Sequence, residues 1–190
     1  SFYEIENETI KHENEKIKIG ISGAKLVTDN DIIIIDTGTT TEKLAENISS
    51  DISITALIYN TNILNALSNK KNINLIFSGG YFHPNTQMFE SPEGIDLIRK
   101  TRATKAFVSA AGVHETLGVT CSNNYEVLTK NAILSSSVEK ILLVDSEKFG
   151  IVKSAYFADL NIFTTIITDS GISNEWKARI EEMKIQLIII

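Results

Sequence analysis

The sequence has one cysteine, Cys121, and three histidines. A lone cysteine excludes an internal disulfide and any zinc site built on several thiolates. No HxH or HExxH spacing occurs, so no metal site is expected. Cys121 has no histidine at an obvious spacing and no basic run beside it, which argues against a catalytic thiol. Basic residues are outnumbered, 18 Lys+Arg against 24 Asp+Glu, for a formal charge of −6. Without a Lys/Arg cluster, that balance makes the chain a poor nucleic-acid binder by itself. No apolar run approaches the ~20 residues of a transmembrane helix, and no signal peptide is evident. A cytoplasmic protein with no membrane contact is the simplest reading. Opening on Ser1 rather than methionine, the chain reads as a piece of something longer.

At 190 residues, 43% of them hydrophobic, the chain can bury one substantial core. Residues 1–14 are polar, without a clean period, and read as an arm or linker end. The domain proper is expected over residues 15–190. Ile17, Ile21, Ala24 and Val27 recur at helical spacing and predict a helix from about Glu13 to Val27. Gly20 and Gly23 weaken it and would let it pack closely on a sheet.

The organising stretch is Asp31-Ile32-Ile33-Ile34-Ile35-Asp36-Thr37-Gly38-Thr39-Thr40-Thr41. Four consecutive isoleucines predict a strand buried on both faces. A hydroxyl-rich turn follows, and Glu42-Lys43-Leu44-Ala45-Glu46 opens a helix ending near Ile48. The first amides of a helix lack intrahelical partners and carry partial positive charge, so the turn is a ready anion site. An ordinary threonine N-cap and turn glycine would use the same residues. The stretch is neither a Walker A loop nor a Gly-x-Gly-x-x-Gly turn, and no motif requires a cofactor.

Further strands are expected at residues 52–58, 73–77, 105–109, 140–144 and 163–168, with residues 185–190 closing the sheet. Helices are expected at 63–67, 92–99, 124–138 and 173–183, the last capped by Ser173. Residues 81–87 break the pattern, and residues 110–120 read as a long glycine loop. Strands alternating with helices imply a parallel sheet with right-handed crossovers. Ligands of such sheets lie beyond the carboxyl ends of the strands. The turns after the first three strands can therefore converge on one crevice.

Asn60-Thr61 could hold a sugar hydroxyl or cap a helix. Gly79-Gly80 could let amides approach a ligand or make a turn. Asp145 and Lys148 offer a carboxylate and an ammonium at a strand end, or a solvated turn. Glu126 and Lys130 lie four apart on one helix, which also suits a surface salt bridge. His114 and Glu115, in the glycine loop, could serve as an acid/base pair for sugar enolisation or simply be exposed loop residues.

Together these stretches resemble the carboxy-terminal effector-binding domain of DeoR-type transcriptional repressors, from about Lys16 to the end. Ile35-Asp36-Thr37-Gly38-Thr39-Thr40 looks like the family's D-[ST]-G-T-T, and Asn60-Thr61 like its T-N-S, with Tyr59 in place of threonine. Ser78-Gly79-Gly80-Tyr81 looks like its G-G turn. Lys105-Ala106-Phe107-Val108 with Ala111-Gly112-Val113 is similar to D-K-A-F-x-G-x-x-G-I. There Ser109 replaces glycine and His114 replaces aspartate. Gly118-Val119-Thr120, Lys130, Asp145-Ser146-Glu147-Lys148-Phe149-Gly150 and Thr165-Ile166-Ile167-Thr168-Asp169 match G-L-T, E-x-x-V-K, D-S-S-K-F-G and I-D-x-I-I-T-D.

The resemblance implies an α/β, Rossmann-like, mostly parallel sheet with helices on both faces. That sheet is shared with ribose-5-phosphate isomerase, glucosamine-6-phosphate deaminase and CoA transferases. It implies a phosphorylated sugar or polyol effector, and a winged helix-turn-helix upstream through which alone DNA is bound. A two-fold operator would further imply a dimer or tetramer. The expected effector site comprises Asp36, Thr37, Gly38, Thr39, Thr40, Thr41, Asn60, Thr61, Gly79, Gly80, Gly112, Val113, Glu126, Lys130, Asp145 and Lys148. No catalytic residue is expected. A sugar-phosphate isomerase or deaminase, using His114 and Glu115, is the alternative on the same fold.

Overall fold

The structure, a computed structural model, describes residues 3–190. Helices α1 (Ile5–Ile10) and α2 (Glu13–Ala24) precede β1 (Ile32–Ile35). Next come α3 (Thr39–Asn47), β2 (Ile54–Ile58), α4 (Thr61–Leu67) and β3 (Ile73–Phe77). A hairpin of β4 (Tyr81–His83) and β5 (Met88–Glu90) leads to α5 (Pro92–Lys100) and β6 (Ala103–Ser109). Then follow β7 (Gly112–His114), β8 (Gly118–Cys121), α6 (Val127–Ser135) and β9 (Ser137–Leu143). The chain ends with β10 (Ala155–Ala158), β11 (Thr165–Thr168), α7 (Asn174–Glu182) and β12 (Gln186–Ile189).

Seven strands form one sheet in the order β3-β2-β1-β6-β9-β11-β12, and every neighbouring pair is parallel. The four-isoleucine strand lies inside it, as a doubly buried β-branched run should. Alternate side chains point to opposite faces. Ile33 and Ile35 pack with Ile19, Leu44 and Ile63 of α2, α3 and α4. Ile34 joins Ile98, Ile133 and Ile180 of α5, α6 and α7 on the other face. From β1 the chain winds outward to β2 and β3 one way, and to β6 and beyond the other way. The reversal falls between β1 and β6, and in sheets of this kind ligands bind beyond the carboxyl ends of the strands at such a switch point.

The helical stripe on α2 is shifted from the one expected. Lys16, Ile19, Gly20 and Gly23 are buried, whereas Ile21 is exposed. Gly20 serves the neighbouring helix rather than the sheet: a Cβ there would lie 2.6 Å from Lys43 Cβ and 2.7 Å from the Leu44 amide nitrogen. Gly23 faces Leu44 and also Leu143 of β9.

Three segments differ from the expected pattern. Residues 5–10 are helical, and Ile5 is buried. The long glycine loop is a β7–β8 hairpin that pairs antiparallel with β10 in a three-stranded sheet. The expected 124–138 helix is one 3-10 turn plus α6, because β9 already begins at Ser137. Their constituent pieces α1, β7, β8 and the 3-10 turn are three to six residues long, too short to show a clear period in sequence.

Candidate functional site

Asp36 follows β1 and is fully buried. A buried carboxylate needs partners, and four donors surround this one. Tyr59 donates its hydroxyl to Oδ1. Oδ2 accepts from the Ser109 amide at 3.0 Å, from the Ser109 hydroxyl at 3.3 Å, and from the Lys130 ammonium. Lys130 comes from α6 with 1% exposure. It also donates to the Ser109 carbonyl at 2.9 Å and lies 4.9 Å over the Phe157 ring. Burial works against its charge, but Asp36, then Glu126, more than offset this and raise its pKa. Lys130 is thus a locked cation, neither a surface residue nor a free amine nucleophile.

The threonine turn is built on this frame. Tyr59 Oη accepts from the Thr37 amide at 2.9 Å while donating to Asp36. Burial, then Asp36, holds the phenol pKa well above its ordinary range. Asn60 donates to Thr37 Oγ1 at 2.9 Å and caps α4 by accepting from the Ile63 amide at 3.0 Å. Ser109 Oγ donates to the Thr37 carbonyl at 2.5 Å. Gly38 is the N-cap of α3 at φ 152°, and no side chain caps the helix. Among the described residues, the amides of Thr39, Thr40 and Thr41 have no protein acceptor. Three adjacent donors therefore stand at the positive end of a nine-residue helix, beyond the carboxyl end of β1.

The other expected site residues separate into groups. Thr61 bonds Gln87 Oε1 at 3.1 Å. Gly79 and Gly80 line a different cavity of about 490 Å³, with Ser78, Ser91, Gly94 and Leu97. Gly112 and Val113 are buried in the small sheet, and a Cβ on Gly112 would meet the Ile151 carbonyl oxygen at 2.4 Å. Glu126 does not pair with Lys130 as a helix-surface bridge. Its carboxylate accepts from the Asn123 amide and side chain at 3.2 and 2.9 Å in a capping box. Burial raises its pKa. Asp145 accepts from the Glu147 amide at 3.2 Å, while its buried Oδ2 has no hydrogen-bond partner. Lys148 lies 3.9 Å from Asp145 and 3.7 Å from Glu8.

His114 and Glu115 do not form an acid/base pair. His114 Nδ1 faces the Thr116 and Leu117 amides at 3.3 Å, and Glu115 is ion-paired to Arg179. Cys121 is equally unsuited to chemistry, since burial pushes its thiol pKa up to about 12.

A family model described as the DeoR C terminal sensor domain matches residues 11–170. The chain belongs to the DeoR sensor-domain family. Its relatives include the HTH-type transcriptional regulator IolR of Bacillus subtilis, 33% identical over 95% of this chain and 72% of that protein. The deoxyribose operon repressor of Escherichia coli is 30% identical over 99% of this chain and 75% of its own length. Ribose 5-phosphate isomerase A from Methanocaldococcus jannaschii shares the fold at a TM-score of 0.53 and 16% identity, over 73% of this chain and 55% of that one. As a DeoR sensor domain the chain is the ligand-sensing part of a transcriptional regulator, not an enzyme. Among its described residues no helix is long and apolar enough to cross a membrane.

Two of the departures from the DeoR motifs meet at one point. Tyr59 and Ser109 both bond Asp36 and both hold Thr37. Sequence reading marked them as deviations and left them out of the site. Also left out were Tyr125, whose hydroxyl donates to Asn85 at 2.7 Å and meets Thr86 at 3.2 Å, and His83, stacked on Tyr125 at 3.8 Å. Their signal is an aromatic near each motif, which spacing alone cannot separate from core packing.

Proposed function

We propose that this sensor domain binds a phosphorylated sugar or polyol, with the phosphate on the Thr39–Thr41 amides. What supports this reading above all is the run of three unpartnered first-turn amides at the topological switch point. The hydroxyls of Thr39 and Thr40 add donors. Lys148 is the compensating cation, and Thr61 and Glu126 lie toward the sugar. Asp36, Tyr59, Asn60, Ser109 and Lys130 form the rigid floor under the ligand, since their polar groups are already paired with one another. Names of relatives such as the deoxyribose operon repressor suit a sugar-derived effector.

DNA would be reached through a separate helix-turn-helix domain of the longer protein, and the sensor domain would self-associate as a dimer or tetramer. The deciding measurement is thermal stability with a panel of sugar phosphates and the matching free sugars. A phosphorylated member should raise Tm and its unphosphorylated partner should not. Equal shifts for both would refute the phosphate site. A gel shift with these 190 residues should show no sequence-selective DNA binding, and sedimentation should show an even oligomer.

A further inference from the structure

The amino-terminal segment is docked on the domain beside the threonine turn's helix. The Ile5 amide donates to the Asn85 carbonyl at 2.8 Å, and Ile5 is 2% exposed. Asn85 in turn bonds Tyr125, and its neighbour Thr86 accepts from Thr37 Oγ1 at 3.4 Å. Helix α1 also contacts α3, the helix whose first turn carries the free amides. Tyr3 is part-buried near Glu126, Glu8, Tyr125 and Asp36.

Charge follows the same arrangement. Glu8 places its carboxylate 3.7 Å from Lys148 and 4.0 Å from Lys16, and its carbonyl accepts from the Lys16 ammonium. Lys16 is 2% exposed, a buried cation held by α1 alone among its hydrogen-bond partners. The Glu8 carboxylate thus neighbours three cations: the exposed Lys11 of its own helical end at 2.8 Å, and Lys148 and Lys16 of the domain.

We propose that residues 3–10 are a lid that closes the effector crevice, with Glu8 standing in for the anionic group of the effector at Lys148 and Lys16. An arriving phosphate competes with Glu8, and binding releases α1 from Asn85 and α3. This rests on the anion-site reading above and adds a route by which occupancy moves residues 3–10. A tethered carboxylate acts as an internal competitor, so the observed affinity is the intrinsic affinity scaled by the open fraction.

The test uses the full chain, with inorganic phosphate and ribose 5-phosphate as probes. Titration calorimetry compares wild type with Glu8→Gln, which keeps shape and removes charge, and with Ile5→Ser, which undocks α1. Both variants should bind tighter, by about tenfold, within the range usual for coupled sites. Hydrogen exchange of residues 5–10 should speed up in wild type when the probe saturates. Probe binding with unchanged affinity in both variants and unchanged α1 protection overturns the lid and leaves the anion site standing. No probe binding to any of the three proteins overturns the anion site for these probes, and the lid falls with it.

Discussion

Lys130 and Asp36 form a buried ion pair, 1% and 0% exposed at their side chains, that joins α6 to the end of β1. Neither group can be removed alone without leaving the other desolvated. Losing one member of such a pair costs about 3–5 kcal/mol. Lys130→Met should therefore lower stability in urea by about that amount at neutral pH. The pair also sets a pH dependence. The folded pKa of Lys130 is raised, so its contribution is complete below the unfolded value of about 10.4 and is lost as pH rises through the folded value. On the alkaline side, the gap between wild type and Lys130→Met should narrow as Lys130 loses its proton. A variant as stable as wild type at pH 7 would refute the structural role.

How much of this was legible beforehand differs by residue. The strand at Ile32–Ile35 announced itself because doubly buried strands need continuous apolar side chains. The turn after it was readable because its residue types are set by local backbone chemistry. Lys130 was readable only through the family motif, since nothing in its own helix distinguishes a buried lysine from a solvated one. Its partner lies 94 residues away in sequence. Tyr59 and Ser109 were opaque for the same reason: each makes sense only in the presence of the other across two strands. Gly112 sits tight against the Ile151 carbonyl, a long-range packing constraint that reads in sequence like a binding-loop glycine.

Glu126 carries a second titration. Burial is the leading cause of its raised pKa, and Asp36 adds to it, while Lys130 and the Asn123 hydrogen bonds act the other way. A carboxylic acid with a raised folded pKa favours the folded state most when protonated. Its contribution is complete below the unfolded value of about 4.3 and declines as pH rises through the folded value. Glu126→Gln keeps an acceptor for Asn123 and removes the titration. The difference in Tm, variant minus wild type, should grow as pH rises from below 4 to neutrality. A difference independent of pH would show that Glu126 does not titrate in this way.

The sensor assignment requires catalytic silence. Incubation with ribose 5-phosphate or glucosamine 6-phosphate should give no isomerised or deaminated product. His114 is engaged with turn amides and Glu115 with Arg179, so neither is placed as the other's acid/base partner. Turnover that disappears in His114→Ala would restore the enzyme reading.

The anion turn can be tested one amide at a time. Gly38→Val is a poor probe: its Cβ would strike Ser109 Oγ at 2.8 Å, at a backbone φ of 152° that side chains rarely adopt. Thr39→Pro is better. Thr39 is the first residue of α3, where proline fits because its amide has no helical partner. The substitution removes one amide donor and one hydroxyl while leaving the helix intact. A ligand at a hundred times its Kd stabilises the fold by about 2.7 kcal/mol. At roughly 2–4 °C per kcal/mol for a domain of this size, the effector should raise Tm by about 5–10 °C. Hydrogen bonds to charged groups contribute about 1.5–3 kcal/mol, so Thr39→Pro should weaken binding at least about tenfold. A tenfold loss at the same ligand concentration leaves about 1.4 kcal/mol, which halves the shift. A Thr39→Pro protein with unchanged ligand-free Tm and the full shift would place the phosphate somewhere other than this turn.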